Sequence, residues 1–238
     1  MRITVLTLFP EMFPGVLESS IIAQARKKGI VEFALVNIRD FALDKHQVTD
    51  DAPYGGGPGM IMKPEPIFRA VRSLATGDAK PRLILLSPRG KAYDQQAARE
   101  LSLETDIVLL CGHYKDIDER VRTIVDRDIS VGDYILSGGE VAAMAVIDSV
   151  VRLLPGAISD PESADRDSFE NGLLDHPHYT RPEVFEGMAV PEVLRSGNHA
   201  QIGRWRRQQA LRITQQQRPD LLQRADLSEK DRELLDED

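Results

Sequence analysis

The sequence predicts an α/β fold with a mostly parallel sheet, followed by a small helical domain. Up to about residue 155, short β-rich runs alternate with stretches of helical spacing. Residues 155–172 interrupt that alternation with Pro155, Gly156, Pro161, Gly172 and a dense polar run from Ser159 to Ser168, and beyond them the spacing turns helical. The hydrophobic share, 42% of 238 residues, is enough for a sizeable core. These observations give a sheet domain over 1–158, a flexible linker over 159–172 and a helical domain over 173–238.

The runs Ile3–Leu8, Val31–Ile38, Arg82–Leu86 and Ile107–Cys111 are continuously apolar or alternating, as buried strands are. Between and after them, Val16–Lys28, Glu65–Leu74, Asp94–Leu101 and Asp118–Val125 have helical spacing, and Gly29 closes the first. Strands alternating with helices favour a parallel sheet covered on both faces, with ligands at the carboxyl ends of its strands. Three loops fall there: Ser87-Pro88-Arg89-Gly90, Gly112-His113-Tyr114-Lys115-Asp116, and the segment after Ile129. A fourth, Asp50 to Gly59, is too polar and glycine-rich for core and reads as mobile or ligand-wrapping. In the helical domain, Asn198 is a plausible cap for a helix over Ala200–Gln217, which Pro219 stops.

The most informative segment is Ser130 to Glu140. Gly132 permits a sharp turn, and Gly138 and Gly139 remove side chains where a helix begins, leaving N–H groups for a small polar ligand. The following helix, Glu140–Leu154, is apolar around most of its circumference and predicts a buried, rigid floor. An ordinary strand-to-helix turn has the same spacing, so residue pattern alone leaves both readings open.

Composition narrows the function. Cys111 is the only cysteine, which rules out an intrachain disulfide and a multi-cysteine zinc site and fits a reducing cytoplasm. The apolar N-terminal run ends at Pro10, too short for a signal peptide core, and no stretch approaches the roughly 20 apolar residues of a membrane helix. The net charge of −8 argues against nucleic acid, but it hides a segregation. Residues 195–224 hold seven arginines against Asp220, a net of +6, while the rest of the chain carries −14. Residues 225–238 reverse sign, with seven acids against Lys230 and Arg232, as a solvated tail or a charge partner for the basic stretch.

Several familiar chemistries are absent. Gly55-x-Gly57-x-Gly59 is no dinucleotide fingerprint, because it follows Asp50-Asp51-Ala52-Pro53 rather than a buried strand and contains Pro58. There is no phosphate-loop Gly-Lys-Ser/Thr, no His-Glu-x-x-His and no Gly-x-Ser-x-Gly. His176-Pro177-His178 is the only close histidine spacing and lacks a third ligand, so no metal is expected there. Cys111 ends an apolar strand and reads as buried rather than nucleophilic. Asp165, Asp167 and Glu170 read as solvated linker acids, and Arg152 as a partner of its helix's C-terminal dipole. In Arg204-Trp205-Arg206-Arg207, guanidinium forks suit phosphates, while Trp205 either stacks a base or, as expected, anchors the helix by burial.

Read together, Asp51 to Met60, Leu86 to Gly90, Cys111-Gly112-His113-Tyr114, Ile117-Asp118-Glu119-Arg120, Val131 to Glu140 and Asp175-His176-Pro177-His178-Tyr179-Thr180-Arg181-Pro182 closely resemble the bacterial tRNA (guanine-N1-)-methyltransferase family, over nearly the whole chain. The resemblance implies the SPOUT class: a sheet domain with a deep trefoil knot, a small helical tRNA-binding domain, and a homodimer. It implies S-adenosylmethionine held by Leu86, Ser87, Pro88, Gly112, Tyr114, Val131, Gly132, Asp133, Tyr134, Ile135, Leu136, Gly138 and Gly139. Pro58, Gly59, Arg204, Arg206 and Arg207 are expected to meet the anticodon stem-loop. The implied product is 1-methylguanine at position 37, with a preference for a preceding guanine.

The same resemblance makes Asp167 the base that removes the guanine N1 proton and Arg152 the cation that steadies charge on O6. Asp167 is expected from one subunit and the cofactor pocket from the other, with the linker ordering over bound tRNA. Where many members carry Arg-Tyr-Glu-Gly or Arg-Phe-Glu-Gly, this chain has His113-Tyr114-Lys115-Asp116. The family's glutamate near the cofactor's amino group is thus missing at Lys115, and Asp116 is the candidate substitute. A magnesium ion is compatible with this chemistry, but no ligand set for one is legible. A knotted RNA-binding protein without catalysis and a knotted methyltransferase of ribosomal RNA or a ribose hydroxyl are the competing readings.

Overall fold

The computed structural model describes residues 1–74, 80–158 and 167–237. Asp165 and the rest of 159–166 lie outside them. The chain divides into two compact units, Met1–Ser159 and Asp160–Asp238.

In the first unit the strands follow in chain order as β1 (Arg2–Thr7), β2 (Glu32–Asn37), β3 (Asp50–Asp51), β4 (Ile61–Met62), β5 (Arg82–Ala92), β6 (Asp106–Cys111), β7 (Asp116–Ile117) and β8 (Arg127–Ser130). The main sheet has the order β2-β1-β6-β5-β8, and every neighbouring pair is parallel. Its strands are apolar at successive positions because both faces are covered. Along β6, Ile107, Leu109 and Cys111 enter one core cluster while Val108 and Leu110 enter the other. A small sheet, β3-β4-β7, sits apart from the main one.

Local sequence explains where several elements end. Asp94 caps the Gln95–Ser102 helix by accepting from the Ala97 N–H at 2.9 Å. The Glu140–Val151 helix is buried as expected, with Val146, Ile147, Val150 and Val151 at 0% exposure, although Val141 is 51% exposed. Among the described residues no helix is long and apolar enough to cross a membrane.

The structure corrects three local expectations. The run 16–28 is two helices, Pro14–Leu17 and Ser20–Lys27, broken where Ser20 takes a positive φ. The run 118–125 winds as a 3₁₀ helix, Glu119–Ile124, behind its Asp118 cap. Ser87-Pro88-Arg89-Gly90 is no terminal loop but lies inside β5, because Leu86 and Lys91 both pair with Ile129 and the four residues between bulge from the ladder. Gly90 is required there, since a Cβ would fall 2.5 Å from the Ile129 backbone. The segment Asp50–Gly59 stays a largely exposed loop beyond its first two residues, which form β3 and pair antiparallel with β4.

The second unit is not wholly helical. A short hairpin, β9 (Val184–Phe185) with β10 (Met188–Ala189), precedes helices Glu192–Arg195, His199–Gln217, Pro219–Arg224 and Glu229–Asp236. Asn198 caps the long helix, accepting from Gln201 N at 3.2 Å. The core of this unit is small, built on Leu173, Leu211 and Leu234.

Candidate active site and arginine face

The bulge inside β5 and the carboxyl ends of the parallel strands β6 and β8 meet at one cavity. Its walls are the β5 bulge (Leu86 to Pro88), the turn after β6 (Gly112 to Asp116) and the bend Val131 to Gly139. Every residue expected at the cofactor site lines it except Asp133, which is exposed on the bend and is not part of the lining. His113, Lys115 and Ser137 line it as well. The pattern reading missed them because a side chain's access to a cavity has no periodicity, although His113 and Lys115 stood in a loop already singled out.

The bend is closed by backbone. Gly139 N–H donates to Gly112 O at 2.8 Å, and His113 bridges to Gly138. The Gly139 N–H is therefore a clasp rather than a donor left for a ligand, as the sequence suggested. A Cβ on Gly139 would lie 2.8 Å from Cys111 Cα, so glycine permits this approach. Beneath it, Glu140 is 2% exposed and accepts from Thr7 Oγ at 2.7 Å, tying the helix to β1. Burial, helped by Glu140, pushes the Cys111 thiol well above its usual pKa, which removes it as a nucleophile.

One edge of the cavity is ionic. Arg122 pairs with Asp128, lies 3.7 Å from Asp116, and donates to Ser87 Oγ at 3.2 Å. Arg89 binds Glu119 at 2.7 Å and approaches Asp116 at 3.7 Å. The hydrogen bond from Arg89 holds the Glu119 carboxyl below its ordinary range. The other walls mix apolar side chains and backbone with Tyr114, Lys115, Tyr134 and Ser137, and His113 Nδ1 is buried with no hydrogen-bond partner among the described residues. Partly apolar walls, a side-chain-free clasp and an unsatisfied polar atom suit a flat, partly polar cofactor.

Arg152 does not line this cavity. It is the C-cap of the Glu140–Val151 helix, its N–H bonded to Asp148 O at 3.2 Å. Asp167 belongs to the second unit, in a turn fixed by Phe169 N to Leu173 O at 2.7 Å and Asp175 N to Ser168 Oγ at 2.9 Å. The turn borders a cavity with His176, Arg206 and Arg207. Pro58 and Gly59 lie in the loop between β3 and β4, where Gly59 faces Lys115.

The arginine helix is answered by its own chain. Arg204 pairs with Glu237, whose backbone carbonyl also accepts from Arg212, and Arg207 grips Asp231 through two bonds of 2.7 and 3.0 Å. The acidic terminus is thus a charge partner. Asp231 also accepts from Ser228, and its carboxyl is held far below the usual range, first by Arg207 and then by Ser228, against the opposing effect of burial. Arg206 makes none of these pairs and is exposed. Trp205 is only half-buried, its ring 6.3 Å from His176 and 6.4 Å from Tyr179, so it is not the core anchor expected.

Comparison with known proteins supplies the identity of this arrangement. The family model described as tRNA (Guanine-1)-methyltransferase TrmD matches residues 1–224. A tRNA (guanine-N(1)-)-methyltransferase of Moorella thermoacetica is 57% identical over 240 residues, covering 100% of this chain and 96% of its own. Proteins of the same name from Brevibacillus brevis and Dictyoglomus turgidum are 55% and 53% identical, covering 100% of this chain and 98% and 96% of theirs. The chain belongs to the tRNA (guanine-1)-methyltransferase family.

Proposed function

We propose that this methyltransferase moves a methyl group from S-adenosylmethionine to N1 of the guanine at position 37 of tRNA, immediately 3′ to the anticodon. The observation that carries the reading is the cavity between the β5 bulge and the ends of β6 and β8 in a chain of this family. The bulge at Leu86–Pro88, Gly112, Tyr114 and the 131–139 bend would hold the cofactor, and Asp116 would meet its ammonium. When bound, that cofactor supplies a methyl on a sulfonium, which departs as a neutral thioether.

Guanine N1 carries a proton at neutral pH, and its lone pair becomes available for the methyl only as that proton leaves. Asp167 takes it at a carboxylate oxygen, and Arg152 offsets the negative charge that grows on O6. Base help of this kind is worth about 10² to 10⁴ in rate. Arg206, exposed on the long helix, is the arginine best placed to meet phosphate, whereas Arg204 and Arg207 first have to release Glu237 and Asp231.

The finer fold in this reading is the knotted SPOUT arrangement, working as a cytoplasmic homodimer. The return of the 131–139 bend to Gly112 and His113 before a buried helix supports the first part. The exposed apolar Val141 and Met12 support a covered face.

The test is transfer of labelled methyl to two tRNA transcripts differing only in guanine or adenine at position 37, with nucleoside analysis. Label recovered as 1-methylguanine from the guanine transcript alone establishes reaction, atom and site. Binding of cofactor and tRNA without transfer overturns the catalytic reading, and label elsewhere overturns the site.

A further inference from the structure

We propose that Asp175, His176 and His178 form a binding site for a divalent transition-metal ion of the zinc type, beside the turn that carries Asp167. The sequence offered two histidines across Pro177 without a third ligand. The adjacent Asp175 supplies it, because the local backbone brings one ligand atom from each of Asp175, His176 and His178 within 4.8 Å of the others.

The geometry is that of a prepared donor set. His176 Nδ1 lies 3.1 Å from Pro177 O. A carbonyl oxygen only accepts, so Nδ1 carries the hydrogen and Nε2 presents its lone pair. Metal-ligating histidines are oriented in this way, the second ring nitrogen donating to a carbonyl or carboxylate. That Nε2 faces Asp175 Oδ1 at 3.7 Å, and the His176 side chain is only 16% exposed. Asp175 Oδ1 accepts from the His176 backbone N–H at 2.7 Å, which fixes the carboxylate and leaves it a lone pair to share with Nε2 through a cation between them. The gap is longer than a hydrogen bond, but ligands about 2.0–2.1 Å from a tetrahedral ion stand roughly 3.3 Å apart, close to this separation.

The third ligand is within reach from the other side. His178 Nε2 sits 2.8 Å from Asp175 Oδ2, and the two imidazole rings lie 4.4 Å apart. His178 is 70% exposed, so its ring is free to turn from the carboxylate to a metal. Two nitrogens and one oxygen select zinc, cobalt or nickel over magnesium, which prefers oxygen alone. Three protein ligands leave a position for water.

The experiment is titration of the full chain with zinc alone, in competition with a chromophoric chelator, followed by cobalt substitution read by its visible absorption. Expected is one zinc per chain at micromolar or tighter affinity, undisturbed by millimolar magnesium. Asp175→Asn and His178→Gln should each weaken binding at least about 10-fold, no less than the loss of a group that merely orients a ligand. His46→Ala and His199→Ala should leave it unchanged. The exposed position of His178 makes its variant safe for folding, which a thermal melt checks. Absence of stoichiometric binding, or equal binding by wild type and both site variants, overturns the site. So does equal loss in the His46 and His199 variants.

Discussion

In the first unit the cavity is made largely from backbone and apolar side chains held by a buried helix, whereas the arginine helix of the second unit meets its surroundings through charges already paired within the chain. A cofactor cavity is shaped by close approach: Gly139 against Cys111, Gly90 against Ile129. A phosphate-binding face is shaped by competition. Arg207 and Asp231 are a structural pair, while Arg204 and Glu237 are an exposed one that an RNA phosphate is able to replace. The number of arginines therefore overstates the cations on offer, and the exposed Arg206 outranks its neighbours.

The largest effect should come from Asp167, in the turn that borders Arg206 and Arg207. Asp167→Asn is expected to lower kcat about 10²- to 10⁴-fold while leaving cofactor affinity intact, measured by single-turnover transfer and calorimetry. A wild-type kcat would remove Asp167 from the chemistry.

Next is the structural arginine pair. Asp231→Asn should destabilise the second unit by about 1.5–3 kcal/mol at neutral pH, the worth of a hydrogen-bonded charge. Trp205, the only tryptophan, reports that unit by fluorescence. Because the Asp231 carboxyl is depressed in the folded chain, its contribution is fully present above the unfolded value of about 3.9 and is lost as pH falls toward the folded value. The wild-type signal should therefore weaken below about pH 4, and the variant should lack this part of the dependence. Equal stability of the two proteins at pH 7 would reduce Arg207–Asp231 to a surface pair.

The cavity is tested by filling its clasp. Gly139→Val should weaken cofactor binding about 10-fold or more, since the added carbons press on Cys111 and shift the bend. Unchanged affinity would mean that the bend adapts freely and is not the rigid wall described above.

The smallest effects belong to the exposed charges. Arg206→Glu should lower tRNA affinity and reduce the log–log salt slope by about 0.7–0.9 for each phosphate that is no longer neutralised. Glu237→Gln should act oppositely, tightening tRNA binding about two- to fivefold by releasing Arg204. If both variants bind as wild type does, another surface grips the RNA.

Much of this molecule was legible in its residues. Alternating strands and helices predict the parallel sheet because a strand buried on both faces must be apolar throughout, as Ile107–Cys111 is. The Glu140 helix and the Asn198 cap follow from local patterns of the same kind. The β5 bulge, the broken helix at Ser20 and the β9–β10 hairpin did not, because each depends on what the segment packs or pairs against. Asp133 shows the same limit within the site: its neighbours on the bend line the cavity and it does not.

Periodicity, composition and ordered motifs were enough for the mixed α/β class with its parallel sheet and for the family. Which groups meet was left to folding. It closed Gly139 on Gly112 and paired Arg204 and Arg207 with a terminus more than twenty residues away. Such pairings are set by distance in space, and charge or spacing along a chain carries no measure of that distance until the core has fixed the backbone.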